Sequence, residues 1–335
     1  MDGGSIALLN LDGGKMIEEK ITNEHHHSTE ENFNPTSNIS DFSEWRQAIV
    51  EFTTSKLSEL LQQLDPIPSR LLEATRYAVF SGGKRVRPML CHAAGELTDA
   101  DPRVLANISA ALEMLHIFSL IQDDLPDMDN DSLRHGKPTL HVKYDVATAL
   151  LVCDGLITLA FQILTELDVD AQRKVSLIRE LALASGYFGM TSGQYIDITS
   201  VGSQLTQSEL EHMHKLKTGS LTRASVRMGA ICGISPCRPG DFLYENLTNY
   251  ADHIGLAYQV IDDILDATIS SEQLGKTANK DYIFNKPTYA TLLDIDDAQN
   301  LAIDLSTRAC ESLLSYGNRA LRLNQLIDFI VYRKT

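Results

Sequence analysis

The chain has 335 residues, 43% of them apolar, and a net charge of −16. That is enough for one large domain, or two average ones, with a sizeable core. The charge argues against nucleic acid or an anionic membrane as partner, and any anionic substrate must be drawn in by local basic clusters and metal.

Residues 1–40 read as a disordered acidic tail. No apolar run follows a basic start, as a signal peptide requires, and there is no Arg, unlike a transit peptide. His25, His26 and His27 fall in this tail and are read as part of it rather than as a metal site. From 41 to 335 the pattern is helix after helix. The stretch 43–64 places Ile49, Phe52, Leu57, Leu60 and Leu61 at near-helical spacing, and Pro66 and Pro68 end it. A helix over 71–80 is closed by Gly82 and Gly83. The stretch 101–124 opens on a capping Asp with Pro in the first turn and runs into a group of aspartates. Further helical patterns cover 142–167, 171–190, 207–231, 241–269, 294–316 and 319–332. Strand signals are weak and no repeat of fixed period appears, so the expected fold class is all-α, in one domain.

Residues 146–164 are about long enough to span a bilayer, but Asp154 and Gly155 sit at their middle. An ionised Asp at mid-bilayer is expensive, so the expectation is a buried core helix and no membrane span. Five cysteines are scattered without a CxxC pair or a zinc-ligand pattern, which points to a reducing cytoplasm.

Asp123, Asp124, Asp127, Asp129 and Asp131 fall within nine positions. Their mutual repulsion is destabilising unless a cation intervenes. Read as a calcium loop from Asp127, the segment has Ser132 where Gly is needed and Pro138 where a bidentate Glu is needed, so that reading fails. A merely solvated acidic loop predicts no echo, yet 258–268 carries Asp262, Asp263 and Asp266 in apolar helical sequence. Asp262 and Asp266, at i and i+4, share one side of that helix. Hard oxygen donors at this density, without His or Cys, suit Mg2+, which shares its shell between carboxylates, waters and substrate phosphates.

Basic residues follow the same logic. Lys84, Arg85 and Arg87 come after two glycines in a segment that is not a P-loop but can open a helix start to an anion. Arg134, His135 and Lys137 follow the first acidic cluster; Lys276, Lys280 and Lys286 follow the second; Lys217 and Thr218 lie between. His116 precedes Asp123 by two helical turns, about 10 Å on the same face, which places it for phosphate contact.

Together GGKRVRP, DDLPDMD, GKP, GQ at 193–194, KTG, YQVIDDILD, GKTANKD and Arg333 resemble the trans-isoprenyl diphosphate synthase (polyprenyl synthetase) family over 43–335, most of all its short-chain bacterial farnesyl diphosphate synthases. The resemblance implies an isoprenoid-synthase-type helical bundle around a central cavity, a homodimer, and three Mg2+ ions, with Mn2+ as a substitute. It implies Asp123 and Asp129 as metal ligands on one side and Asp262 on the other, supported by Asp124 and Asp266. Arg134, Lys217, Lys276 and Lys286 would grip the allylic diphosphate. Gly83, Lys84, Arg87, His116, His135 and Arg333 would bind isopentenyl diphosphate. Lys217, Thr218 and Gln259 would be catalytic, and Phe118 and Ser119 would set chain length. The implied reaction is head-to-tail condensation to farnesyl diphosphate. The alternatives are a geranylgeranyl diphosphate synthase, a terpene synthase that ionises without condensing and, behind these, a non-catalytic partner subunit. Three positions depart from the family pattern: Gln122 stands for His, Asp127 for a small neutral residue, and His135 for the second Arg of RRG.

Overall fold

Every residue of Val104–Leu115 is buried except half-buried Asn107, so the helix that carries them, α4 (Pro102–Asp123), has no face to give to water over that stretch. The computed structural model describes residues 39–333 apart from 65, 235–236 and 269–285. Asp101 caps α4 by accepting from the Arg103 N–H at 2.8 Å. The helix is packed by α1 (Phe42–Gln62), α3 (Val86–Leu97), α6 (Val146–Glu166) and α10 (Ser220–Ile231). A second apolar cluster surrounds α11 (Phe242–Thr268) with the helices Ile295–Glu311 and Leu321–Val331. Residues of α3 and α10 belong to both clusters, so these two helices lie between α4 and α11. α4 and α11 are the helices that carry the aspartates, and this spacing leaves room between them.

The all-α expectation holds. The described residues contain only a two-residue ladder, Leu133–Arg134 with Lys137–Pro138. His135 and Gly136 turn it with φ of +50° and +73°, as a two-residue hairpin requires. Among the described residues three helices escaped the sequence reading, α3, α8 (Met190–Thr199) and the short Tyr289–Leu292, and α7 (Ala171–Ser185) ends earlier than expected. The helix expected over 207–231 is interrupted by a π turn at Lys215–Gly219, between α9 (Gln207–His214) and α10.

Two expectations need correction. Residues 39 and 40, assigned to the tail, are docked: Arg322 donates to both of their carbonyls. Residues 1–38 lie outside the described residues. The helix α6 is not a buried core helix. α4 and α6 are both long and apolar enough to cross a membrane, but the apolar window of α4 is 78% buried and that of α6 only 33%. α6 packs one face on α4 and leaves Val146, Leu150 and Leu151 exposed beside Asp154 and Gly155.

Candidate active site

A cavity of about 940 Å³ lies between the acidic ends of α4 and α11. Its wall includes Gly83, Lys84, Arg87, His116, Ser119, Asp123, Asp124 and Asp129 from the first half of the chain. It also includes Arg134, His135, Lys217, Thr218, Gln259, Asp262, Asp266 and Lys286. Two of the expected residues that the structure describes, Phe118 and Arg333, are not part of that wall. Lys276 lies outside the described residues. Phe118 is half-buried against the α4–α6 core, one position from the lining Ser119. Arg333 reaches the site from the chain end by pairing with Asp262.

The first acidic cluster is shaped by the loop that leaves α4. The Asp129 N–H donates to the Asp123 carbonyl at 2.9 Å and the Asn130 N–H to Leu125 at 3.0 Å, folding the loop back over the helix end. Asp124 is buried and accepts from Arg134 Nη2 at 2.5 Å and Nε at 3.1 Å. Burial pushes its carboxyl up to about 6 even with Arg134 opposing. Asp123 is raised as well, by burial first, with Lys217 pulling the other way. Asp129 accepts from Lys286 Nζ at 2.7 Å.

The π turn puts Lys217 and Thr218 into the cavity wall, and such turns recur at functional sites. It packs so tightly on α8 that a Cβ at Gly193 would stand 2.1 Å from the Lys217 nitrogen. That contact brings Asp197, on the next turn of α8, to 2.6 Å from Lys217 Nζ and 3.4 Å from Lys286 Nζ. Burial lowers Lys217, but Asp123, Asp197 and Asp129 outweigh it and hold the ammonium above its ordinary value. Thr218 Oγ1 donates to Gln259 Oε1 at 3.2 Å.

The opposite rim is basic. Gly82 and Gly83 take φ of +130° and +111°, which only glycine adopts readily, and Arg85 follows at +54°. The strained turn is anchored by a buried ion pair, Arg85 Nη1 to Glu113 Oε1 at 2.5 Å. Lys84 is lowered by burial and by Arg333, and His116 well lowered by burial and by Arg87. His135 is lowered by burial and by Arg134 and Arg85. Burial also lowers Arg87. Arg87 Nε and His116 Nδ1 are buried without a partner among the described residues. Arg333 lies 3.8 Å over the Tyr258 ring and donates to the Tyr258 carbonyl and to Asp262. Crowded, mutually repelling cations with unused buried donors form a site for an anion.

The carboxylates here are thus held by the residues expected to bind diphosphate: Asp124 by Arg134, Asp129 by Lys286, Asp262 by Arg333. Among the described residues no three ligands are gathered as a ready metal cage. The donors are all oxygen, and Mg2+ takes one or two carboxylates and completes its shell with water and phosphate. The sequence reading missed Asp197 and Glu113 as parts of the site, and it placed Asp263 in the second cluster without a role of its own. The Gly193–Gln194 pair was noted, and Asp197 lies one helical turn beyond Gly193, so that signal was present.

Residues 68–311 match the family model described as "Polyprenyl synthetase". The chain is 43% identical over 284 residues to a probable farnesyl diphosphate synthase of Sinorhizobium fredii, covering 85% of this chain and 86% of that protein. It is 39% identical over 297 residues to geranylgeranyl pyrophosphate synthase 4 of Arabidopsis thaliana, covering 88% and 78%. Among solved structures, the geranyltransferase of Helicobacter pylori complexed with magnesium and isoprenyl diphosphate superposes with a TM-score of 0.72 at 31% identity. It covers 84% of this chain and 97% of that one.

Proposed function

This chain belongs to the polyprenyl synthetase family, and from that membership we propose that it condenses isopentenyl diphosphate with dimethylallyl or geranyl diphosphate. The product is farnesyl diphosphate and the leaving group is diphosphate. The observation that carries this reading is the single cavity walled by both aspartate clusters and by two separate sets of cations.

Asp123, Asp129 and Asp262, with Asp124 and Asp266 behind them, would hold Mg2+, whose part is to neutralise the departing diphosphate. Lys217, Lys286 and Arg134, with Lys276, bind the allylic diphosphate and stabilise the charge that grows on it as its carbon–oxygen bond breaks. The bonding electrons leave with the diphosphate, and an allylic cation remains. Gln259 Oε1 and the Thr218 hydroxyl oxygen set the negative ends of their dipoles toward it. Gly83, Lys84, Arg87, His116, His135 and Arg333 hold isopentenyl diphosphate so that its double bond attacks the cation. The proton then lost goes to an oxygen of the released diphosphate. The apolar part of the wall keeps water from the cation.

The exposed apolar face of α6 supports a homodimer, since a bare stripe of that kind is what a second copy covers. The reading is of a cytoplasmic protein with no membrane span and no nucleic-acid partner. A geranylgeranyl product is the second reading, favoured by the Arabidopsis relative and by the absence of Phe118 from the cavity wall. Chromatography of products from each allylic starter with isopentenyl diphosphate and Mg2+ decides. Farnesyl diphosphate as the end product supports the first reading, longer chains the second, and neutral terpenes neither.

A further inference from the structure

The second aspartate motif contains a carboxylate that neither the metal nor the diphosphate reading uses. Asp263 is buried, at 4% exposure. Its Oδ1 accepts from Gln259 Nε2 at 2.8 Å, and its Oδ2 accepts from the Tyr289 backbone N–H at 2.8 Å. His214 Nε2 stands 3.9 Å from Oδ2, beyond hydrogen-bond reach, and burial keeps that ring neutral by lowering it to about 3. These three neighbours are therefore neutral groups. Asp124, at the corresponding place in the first motif, is paired with an arginine.

An amide has a donor end and an acceptor end, whereas a carboxylate only accepts. Asp263 thus decides which way Gln259 faces. Nε2 must point to Asp263, and Oε1 is left to Thr218 Oγ1 and the cavity.

We propose that Asp263 is a positioning residue for the ionisation step: it holds Gln259 so that the carbonyl end of the amide, and not the NH2 end, meets the allylic cation. The proposal rests on the prenyl-transfer reading above and adds to it what orients the dipole. A carbonyl oxygen fixed before the charge develops stabilises that charge without reorganising, and the reversed amide opposes it.

The Tyr289 N–H makes one substitution decisive. In Asp263→Asn the new side-chain oxygen must stay on that N–H, which needs an acceptor, so its NH2 faces Gln259. Gln259 then turns its own carbonyl to Asn and its NH2 to the cavity. One isosteric change reverses the dipole and leaves Asp262 in place.

The test uses the full chain with Mg2+. Asp263→Asn should lower kcat about 100-fold, the loss typical of removing one preorganised dipole. Both KM values and the calorimetric Mg2+ affinity should stay within about twofold. Affinity for an ammonium analogue of geranyl diphosphate, which carries the positive charge, should fall. Affinity for the uncharged-tail thiolodiphosphate analogue should hold. The double variant Asp263→Asn with Gln259→Glu again matches each donor to an acceptor and returns an oxygen to the cavity, so kcat should recover to within about tenfold of wild type. The inference is overturned if kcat is unchanged in Asp263→Asn. It is overturned equally if Mg2+ affinity and both analogues weaken together, which is a metal or packing role, or if the folded double variant stays inactive. Should Asp263→Asn not fold, the double variant decides alone by the same activity criterion. A wild type that consumes no allylic diphosphate would sink the prenyl-transfer reading. An active wild type with an equally active Asp263→Asn sinks only this inference.

Discussion

The two aspartate clusters have similar composition and different hydrogen-bond partners. The first sits at the C-terminal end of α4, where the helix dipole disfavours negative charge, and its local balance is ionic, through Arg134 and Lys286. The second sits within α11, whose last described residue is Thr268, and there Asp263 accepts from an amide and a backbone N–H while Arg333 pairs with Asp262. The difference teaches that a DD pair divides labour. All four line the cavity, but in each pair the second Asp is buried and hydrogen-bonded to fixed neighbours while the first is only half-buried. The first motif pairs its inner Asp with an arginine, and the inner Asp of the second sets the direction of an amide.

The largest effects should come from the half-buried members. Asp123→Ala and Asp262→Ala should each lower kcat by about 10³-fold or more, with helical content by circular dichroism unchanged. Chelation should abolish activity in the parent protein. A variant of one motif that retains near-parental kcat would break the symmetry between the two clusters.

Next is the anchor of the basic rim. Glu113→Ala leaves Arg85 buried and uncompensated, at 5% side-chain exposure, and should lower unfolding free energy in urea by about 3–5 kcal/mol. A loss below about 1 kcal/mol would mean that the strained turn before α3 is held by something else.

Asp197→Asn removes the carboxylate shared by Lys217 and Lys286. Steady-state kinetics should show the allylic substrate's kcat/KM falling about 10- to 100-fold, with the KM for isopentenyl diphosphate little changed. Equal loss for both substrates would erase the distinction between the two cation sets.

These outcomes bear on how far the residues announced the site. The echo between residues 123–131 and 262–266 was legible because charge in otherwise apolar helical sequence has few structural uses. Which Asp of each pair turns inward was not, since that depends on Arg134 and Tyr289 arriving from distant segments. α8 was missed because Gly193 and the Thr and Ser around it weaken its helical pattern, although Gly193 is there for the close approach to Lys217. α6 was misread because an all-round apolar helix looks the same in sequence whether its own fold or a second surface covers it. The hairpin at His135 lacks the usual Asn-Gly signal.

The remaining effect lies outside both clusters and separates their acid response from the background. Burial lowers His92 to about 3 against 6.5 when unfolded. Between those values the unfolded chain holds the extra proton, so the stability contributed by neutral His92 is complete above pH 6.5 and is lost as pH falls. The slope is at most about 1.4 kcal/mol per pH unit. His92→Leu should flatten urea-monitored stability between pH 6.5 and 4. An unchanged slope would move the acid loss to other groups.

The most direct test of two clusters serving one cavity follows diphosphate release from geranyl diphosphate, with and without isopentenyl diphosphate, in the full chain with Mg2+. The account predicts one diphosphate released per isopentenyl unit incorporated, farnesyl diphosphate as product, and no release in excess chelator. Diphosphate released at the same rate without isopentenyl diphosphate, with a neutral terpene as product, would contradict it.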